Sequence, residues 1–526
     1  MLPGDPTQYL FVPAQGASAA GDVNAAGVGL ARAVRLIAEG ESQAALPLLQ
    51  SNALMASPLA AYSRYYTAVA LKNLKRFDEA ETVLAALAER RPVGYLDQAS
   101  AMLRADVANA RQQPQQAVAA LETITISRAA TPEAVLARLG AAAEQIGDTE
   151  KALRVYRRLY YEFPLSGEAE AAGVALTRLQ AGRPGPSELW PLERGRAEAL
   201  FAARRWAQAR EAFSSLGAVA TRDEDRELAT LRVAECDVNL NRARQAREVL
   251  EQFASQGARQ VEAQYYQVLS ARALDLTSYE ADARRFAQGH PDSAWTEDVL
   301  NGLATYYIVN DNDQAADDVF RTLLEQFPTS RFAERAAWKV GWAAYRAGRF
   351  REAAAVFEAA ATDAPRADFR PAWIYWAGRA RDQVEDTATA TVRYRLTATD
   401  YLNSYYGRLA VQRLAERQDA FRPAPVSAAA DTMPSPLIPT DLLVRQLVGL
   451  ALYDDALREL EYAQRAWGDS AAIQATTAWI RHHRAGQLAS MERFQNLRGA
   501  INQMKRAYPQ YLAAGGEELP PEVLKV

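Results

Sequence analysis

The amino-acid sequence predicts an all-α protein built as a solenoid of stacked helix pairs. Signals for β-strands are nearly absent, whereas Ala, Leu, Arg and Glu recur at helical spacing along most of the chain. A pattern of small, aromatic and proline residues also repeats in several segments. The chain has 526 residues, far more than one compact core usually holds. These observations favour a repeat array whose units share one continuous core.

The clearest repeat signal is a fixed spacing of small, aromatic and proline residues in four segments. In residues 147–164 the key positions follow one another at steps of five, four, three and five. They are Gly147, Ala152, Tyr156, Leu159 and Pro164. The same steps lead from Gly348 to Pro365, from Asp311 to Pro328 and from Lys75 to Pro92. Seven residues before each start stands a small residue: Gly140, Gly341, Ala304 and Ala68.

This pattern resembles the tetratricopeptide repeat, a pair of antiparallel helices closed by a proline. A small residue on the first helix and an alanine early on the second let the two backbones approach closely. We expect the aromatic ring four residues after that alanine to fill the next groove of the stack. Weaker copies are Ala209–Phe213–Leu216, Ala246–Leu250–Phe253 and Ala456–Leu460–Ala463. The predicted array coils into a superhelix, ring or horseshoe with a long concave face.

Proline-rich and glycine-rich stretches predict the domain limits. Residues 421–441 contain five prolines and show no apolar period, and a Thr–Asp cap at Thr440 and Asp441 then starts a new helical stretch. A second Gly/Pro loop lies at residues 180–191. The predicted parts are a flexible leader (1–27), a tetratricopeptide-like superhelical domain (28–420), a Pro-rich linker (421–440), a smaller helical linker domain (441–513) and a connector (514–526).

Composition and charge exclude several classes of function. The net charge is −4 and the arginines are interspersed with acidic residues, so nothing in the bulk charge favours nucleic acid as a partner. No stretch approaches the roughly 18–20 apolar residues of a membrane span. The single cysteine, Cys236, excludes an intrachain disulfide and a thiolate metal cluster, and its apolar surroundings are typical of a core residue.

The sequence carries no recognisable catalytic or metal-binding constellation. Gly-rich phosphate loops are absent, and the only histidines are His290, His482 and His483. Neighbouring residues on a helix point about a hundred degrees apart, so the histidine pair cannot hold a metal on one face. The acidic stretches 223–225 and 310–313 are predicted to cap helices, with calcium binding as the weaker alternative. We therefore predict no catalytic residue, no cofactor and no metal.

The tryptophans allow two interpretations. Trp338 and Trp342 are one helical turn apart, and Trp373 and Trp376 nearly so. Aromatic residues at these spacings are typical of the core between stacked helices. The alternative is that a minority line the concave face and stack on sugar rings or peptides. The sequence does not decide between these two interpretations for any single residue.

Four stretches carry a more specific resemblance. They are PAWIYWAGRARD (371–382), DYLNSYYGRLAVQRL (400–414), RQLVGLALYDDALREL (445–460) and NQMKRAYPQYLAAGGEELPPEVLKV (502–526). In this order they resemble the superhelical part of a soluble lytic murein transglycosylase. In that family a Tyr-Trp-x-x-Arg-Ala helix precedes a Ser-Tyr-Tyr-Gly-x-Leu-Ala helix, and an Ala-Tyr-Pro turn leads into the catalytic domain.

The resemblance implies a scaffold of a periplasmic enzyme. The family cleaves the MurNAc–GlcNAc β-1,4 bond of peptidoglycan to 1,6-anhydro products, with a catalytic glutamate that is followed by serine. The only Glu-Ser pair here is Glu41–Ser42, which lacks the surrounding family pattern. We therefore expect this chain alone to be inactive and a catalytic domain to follow Val526. The implied partners are peptidoglycan glycan strands and that catalytic domain.

The same resemblance implies a docking segment in which aromatic residues anchor and prolines stiffen the connection. The candidate docking residues are Tyr405, Tyr406, Tyr508, Pro509, Tyr511, Pro520 and Pro521. The alternative function is a stand-alone tetratricopeptide adaptor that binds protein partners on its concave face. A third hypothesis, a helical hydrolase, requires a carboxylate with a raised pKa in a cleft.

Overall fold

A computed structural model gives the fold and describes residues 10–11, 21–179, 189–365, 367–419, 421, 438–486, 488–507 and 526. Within these residues the chain forms α-helices, one 3-10 helix at Ile126–Arg128 and no β-strand. The predicted all-α class is confirmed. Because the helices follow one another with short turns, each one packs chiefly on the next.

The helices fall into three consecutive groups along the chain. The first group is α1 (Gly21–Ala38), α2 (Ser42–Leu49), α3 (Asn52–Met55), α4 (Ala60–Asn73), α5 (Phe77–Glu89), α6 (Tyr95–Ala110), α7 (Pro114–Glu122), α8 (Pro132–Gln145), α9 (Thr149–Glu162) and α10 (Glu168–Leu179). The second is α11 (Trp190–Ala202), α12 (Trp206–Val219), α13 (Asp223–Asn239), α14 (Ala243–Ser255), α15 (Gln260–Ala273), α16 (Tyr279–Gly289), α17 (Ala294–Val309), α18 (Asp313–Gln326), α19 (Ala333–Arg346), α20 (Phe350–Asp363), α21 (Arg370–Gln383), α22 (Thr387–Asp400) and α23 (Tyr405–Glu416). The third is α24 (Asp441–Gly449), α25 (Tyr453–Trp467), α26 (Ala471–Ala485) and α27 (Ser490–Ala507).

These groups form two compact units. The first and third groups together form one unit, Met1–Ala181 with Pro425–Val526, which we call the discontinuous unit. The second group forms the other, Gly182–Ala424, which we call the central unit. The predicted division into a repeat domain and a linker domain stays a prediction. In the structure, contacts between helices place the third group in the same unit as the first.

One apolar core joins the two ends of the discontinuous unit. Leu30, Leu49 and Tyr62 of the first group are buried together with Val444 and Leu460 of the third. Phe11 is also buried in this core, and its backbone N–H donates to the Thr476 hydroxyl at 2.8 Å. Helix α1 begins at Gly21, six residues before the predicted end of the leader.

Turns with a left-handed residue join the two helices of many pairs. Each of the four predicted repeat segments starts on such a residue: Lys75 (φ 60°), Gly147 (76°), Asp311 (54°) and Gly348 (74°). Similar turns occur where the pattern is weak or absent, at Gln112, Arg204, Asn241, Asp275, Glu385 and Ala451. The left-handed region reverses the chain within a few residues, so it brings the second helix back against the first.

Glycine on the first helix of a pair makes room for an aromatic ring on the second. A Cβ built on Gly341 would lie 2.4 Å from Phe357, and one on Gly140 would lie 2.5 Å from Tyr156. The ring therefore packs against the glycine of its own helix pair, and it also belongs to a core cluster with residues of the helix that follows. A hydrogen atom is the only substituent that fits at these two positions without displacing the ring.

Candidate binding surface on helices α19 to α23

Three aromatic rings form a row along helix α19 of the central unit. Trp338, Trp342 and Tyr345 stand at steps of four and three residues, which places them on one face of the helix. Trp338 and Trp342 stack with centroids 5.8 Å apart and planes 7° apart, and Trp342 and Tyr345 with 5.7 Å and 3°. All three side chains are partly exposed. The row is therefore a stack of nearly parallel, partly exposed rings on helix α19.

Trp376 of helix α21 extends this row onto the neighbouring helix pair. Its ring meets Trp342 edge-on at 4.8 Å and Tyr345 at 5.0 Å between centroids. The guanidinium carbon of Arg379 lies 5.8 Å from the Trp376 centroid, within the range of a cation–π contact. Trp376 and Arg379 are three residues apart, so one helical face carries both.

Tyr375 links the arginines of helices α21 and α23. It is buried, and its ring lies 5.6 Å from that of Tyr406. The side chains of Arg379 and Arg413 both lie near its hydroxyl. Burial has the largest effect on the pKa of Arg379 and lowers it, but the nearby Tyr375 and Tyr345 hydroxyls together raise the pKa overall. For Arg413 the nearby Tyr375 hydroxyl is the largest cause of a raised pKa. Both groups are therefore fixed cations.

Arg379 has no carboxylate partner within the part of the chain that the structure describes. Its neighbours differ in this respect, because Arg413 pairs with Glu416 at 2.9 Å and Arg381 with Glu358 at 2.7 Å. The partners of Arg379 are the neutral Tyr375 hydroxyl and the face of Trp376. The surface thus combines a row of rings with a cation whose charge is not neutralised locally.

We call this set of residues the aromatic–arginine surface: Trp338, Trp342, Tyr345, Tyr375, Trp376, Arg379, Tyr406 and Arg413. Its rings offer flat apolar faces and its guanidiniums offer donors for an anion. It holds no carboxylate, thiol or histidine that would act as an acid, base or nucleophile. The arrangement is therefore suited to binding rather than to catalysis.

The structure separates the aromatic residues that the sequence analysis left undecided. Trp373 is a core residue, with 1% of its surface exposed, whereas Trp338, Trp342 and Trp376 are partly exposed. Within the described chain the indole N–H groups of Trp373 and Trp376 are buried without a hydrogen-bond partner. Such a group costs about 1–3 kcal/mol of stability, which the packing of the indole ring has to offset.

Two of the seven candidate docking residues are described. Tyr405 is 71% exposed, and its ring lies 5.1 Å from that of Tyr406, which is partly buried against Tyr375. The other five, Tyr508, Pro509, Tyr511, Pro520 and Pro521, lie outside the described residues. The docking role stays a prediction for all seven.

Arg379 and Arg413 were not predicted as part of a site, although both lie in the stretches 371–382 and 400–414. The spacing of Trp376 and Arg379 was a usable signal, since residues three apart share a helical face. The proximity of Arg413 to Tyr375 was not, because helix α22 separates the two in sequence.

The two described carboxylates whose pKa values are raised most lie in packed cores, not in a cleft. Burial raises the pKa of Glu235 to about 8 and that of Glu459 to about 7, and both side chains are fully buried. A cleft of about 280 Å³ lies between helices α20, α21 and α22, and Glu358 lines it. Burial alone would raise the pKa of Glu358, but ion pairs with Arg381 and Arg393 lower it. These positions do not support the hydrolase hypothesis.

Neither Cys236 nor the other possible metal ligands among the described residues form a reactive site. Burial raises the pKa of the Cys236 thiol to about 12, which disfavours the reactive thiolate. Among the described residues no three His, Cys, Asp or Glu side chains gather as metal ligands would. In the same part of the chain, none of the helices combines the length and apolar character needed to cross a bilayer.

Comparison with known families identifies the repeats. The family model described as the tetratricopeptide repeat matches residues 102–167 and 303–368. These two ranges contain tetratricopeptide repeats. The second matched range includes helix α19 and its aromatic row. No curated protein matches the chain.

Several solved structures share a general likeness with this fold. Yeast Tom70 is 14% identical, over 85% of this chain and 96% of that chain, with a TM-score of 0.27. The tetratricopeptide domain of P58(IPK) is 15% identical, over 69% and 100%, with a TM-score of 0.22. The apo form of RapI is 10% identical, over 77% and 97%, with a TM-score of 0.32. TM-scores this low carry no argument about function.

Proposed function

We propose that this chain is a non-catalytic scaffold that binds a peptidoglycan glycan strand, as the helical part of a periplasmic lytic transglycosylase. One observation carries the proposal. The two stretches with the closest family resemblance, residues 371–382 and 400–414, contribute to one and the same surface. The first supplies Tyr375, Trp376 and Arg379, and the second supplies Tyr406 and Arg413.

The aromatic–arginine surface has the physical properties that a glycan strand requires. The flat C–H faces of pyranose rings pack on aromatic π-faces, which carry partial negative charge. Seven residue steps separate Trp338 from Tyr345, which is about 10 Å of helix at 1.5 Å per residue. That length offers contact to more than one sugar ring. The cations beside the row favour a ligand with negative charge over a neutral one.

Sedimentation with purified peptidoglycan sacculi tests the proposal. The wild-type chain is expected to sediment with sacculi, and Trp342→Ala is expected to weaken binding about tenfold because it removes the middle ring of the row. Trp467→Ala is the matched control, since Trp467 is a more exposed tryptophan in the discontinuous unit. Mass spectrometry of the released material is expected to find no 1,6-anhydro muropeptides. Equal binding by wild type and Trp342→Ala, or release of anhydro products, would contradict the proposal.

A second candidate function is a tetratricopeptide adaptor that binds a protein segment. The repeat match over residues 303–368 favours it, because such repeats are a common protein-interaction scaffold. On this hypothesis the chain does not sediment with sacculi, and the surface takes an extended peptide instead. The gene sequence beyond the codon for Val526 separates the two as well, since the scaffold hypothesis expects a catalytic domain with a Glu-Ser pair.

A further inference from the structure

We propose that the aromatic–arginine surface selects anionic strands, with a ligand carboxylate bound by Arg379 while a ring of the strand packs on Trp342 and Trp376. This inference rests on the proposed function and adds the chemical class of the ligand. It is a claim about Arg379, the arginine of the Tyr-Trp-x-x-Arg-Ala stretch, to which the resemblance assigns no binding role.

Arg379 differs from the arginines around it. Most arginines on these helices are paired with a nearby carboxylate. Arg370 binds Asp400 at 2.9 Å, Arg381 and Arg393 share Glu358, and Arg395 makes two bonds of 2.7 Å to Asp419. For Arg379 no acidic side chain of the described residues fills this role, so a carboxylate brought by a ligand meets no competitor.

The Arg379 guanidinium is held in place by its neighbours. Arg379 is partly buried between the face of Trp376 and the Tyr375 hydroxyl, which restricts its rotamers before any ligand arrives. A guanidinium has five N–H donors, and one phenol oxygen leaves most of them free. A carboxylate binds such a fork through two parallel hydrogen bonds. Binding then costs little side-chain entropy, because the fork is already in place.

Arg413 lies close to Arg379 but, unlike it, has an acidic partner among the described residues. It contacts the same Tyr375 hydroxyl but is paired with Glu416, so its charge is already balanced. Its proximity still raises the positive potential at Arg379. We therefore expect the anion to lie at Arg379 and Arg413 to assist at longer range.

Peptidoglycan offers carboxylates from two sources, the lactyl group of muramic acid and the peptide stems. Both are anions attached beside a pyranose ring, which is the combination that Arg379 and the neighbouring rings accommodate. A neutral β-1,4-linked oligomer of N-acetylglucosamine has the same backbone and neither carboxylate. It therefore isolates the contribution of the charge.

The test measures the affinity of the wild-type chain and of Arg379→Gln for three strands of equal length. The strands are a neutral N-acetylglucosamine oligomer, an amidase-treated strand with lactyl carboxylates only, and a strand with peptide stems. We expect Arg379→Gln to weaken binding of at least one carboxylate-bearing strand about tenfold and to leave the neutral oligomer unchanged. The strand that is affected identifies the source of the carboxylate. Arg395→Gln, which removes the same charge from an exposed pair on helix α22, is expected to leave all three affinities unchanged.

The outcomes separate this inference from the proposed function. If wild type binds the strands and Trp342→Ala weakens all of them, the glycan scaffold stands. In that case an Arg379→Gln variant that binds charged and neutral strands like wild type overturns the anion selectivity alone. If wild type binds none of the strands and binds an acidic peptide instead, the proposed function fails and the inference falls with it.

Discussion

Arginine–carboxylate pairs between neighbouring repeats occur within both units, but the discontinuous unit has long-range polar contacts in addition. In the central unit, arginine–carboxylate pairs join positions about one repeat apart, such as Arg370 with Asp400 and Arg393 with Glu358. In the discontinuous unit, tyrosines of helix α4 donate to carboxylates of helix α25. Tyr62 binds Glu459 at 2.7 Å across 397 residues of sequence, and Tyr66 binds Asp455 at 2.6 Å across 389.

The difference shows what each unit requires. Repeat pairs contact their neighbours in sequence, so the loop that each contact closes is short and its entropic cost is small. Contacts between residues almost 400 positions apart form only after the intervening chain is in place. We therefore expect the arginine pairs to be individually weak and replaceable, and the tyrosine–carboxylate contacts to be few and individually important.

Glu459 is the centre of the long-range contact. Its carboxylate accepts the Tyr62 hydroxyl and also the backbone N–H groups of Tyr95 at 2.8 Å and Leu96 at 3.3 Å. These two N–H groups belong to the first turn of helix α6, where the helix dipole favours a negative charge. A Cβ built on Gly94 would lie 2.2 Å from the Glu459 carboxylate, so glycine is required at that position.

The largest expected effect is that of Glu459→Ala. It leaves a buried hydroxyl and two buried N–H groups without an acceptor, at about 1–3 kcal/mol for each group. We expect a loss of about 4 kcal/mol in the free energy of unfolding of the discontinuous unit. Urea unfolding measures the loss, and hydrogen exchange in helix α6 assigns it to this unit. Glu461→Ala on the same helix removes only an exposed partner of Arg458 and serves as the control. Equal effects of the two variants would show that the long-range contact is dispensable.

A smaller effect is expected from pH. Burial raises the pKa of Glu459 to about 7 from its ordinary value of 4.5, and that of Asp455 to about 6 from 3.8. The folded state therefore holds these protons more tightly than the unfolded state. Stability is fully present below about pH 4 and falls as the pH rises through about 6 to 7. At roughly 1.4 kcal/mol per pKa unit, Glu459 contributes about 2–3 kcal/mol of the decrease between pH 5 and pH 8.

Urea midpoints at pH 5 and pH 8 measure the decrease, and Glu459→Gln is the matching variant. The groups around Glu459 are Asp455, Tyr62 and the N-terminus of helix α6, and none of them is removed by this change. Contributions from the central unit, such as Glu235, occur in both proteins and cancel in the comparison. The variant is expected to lose the part of the pH dependence that Glu459 supplies and to keep the part that Asp455 supplies. A variant that keeps the full pH dependence would assign it to other groups.

The sequence predicted the helix pairs because their signal is local. The glycine and ring of a pair, such as Gly341 and Phe357, are sixteen residues apart at a spacing that recurs. The pair with Gly378 and Tyr394 was missed, although a Cβ on Gly378 would lie 2.9 Å from that ring. Its pattern ends on Thr397 and Leu402 where the other segments have an apolar residue and a proline.

The candidate surface and the long-range contact were harder to predict. Trp373 and Trp376 have the same chemistry and lie one helical turn apart, yet one is core and the other partly exposed. The first helix of a repeat contacts its own partner on one side and the next repeat on the other, so apolar spacing alone does not show which face stays open. The pairing of Tyr62 with Glu459 has no periodic signal at all.

The smallest expected effect belongs to the arginine pairs of the central unit, and it sharpens the contrast with Glu459. Arg346 and Asp313 form a 2.7 Å pair between helices α19 and α18, with 56% and 66% of their side chains exposed. Water screens the charges of such a pair, and the side chains lose conformational freedom when they form it. A double-mutant cycle with Arg346→Gln and Asp313→Asn is therefore expected to give a coupling free energy below about 0.5 kcal/mol. Glu358, which is more buried and binds both Arg381 and Arg393, is expected to show a larger coupling with either arginine. A coupling of 2 kcal/mol or more at the exposed pair, on the order seen for buried charges, would contradict this expectation. It would mean that an exposed arginine pair of the central unit is as strong as the buried contact of the discontinuous unit.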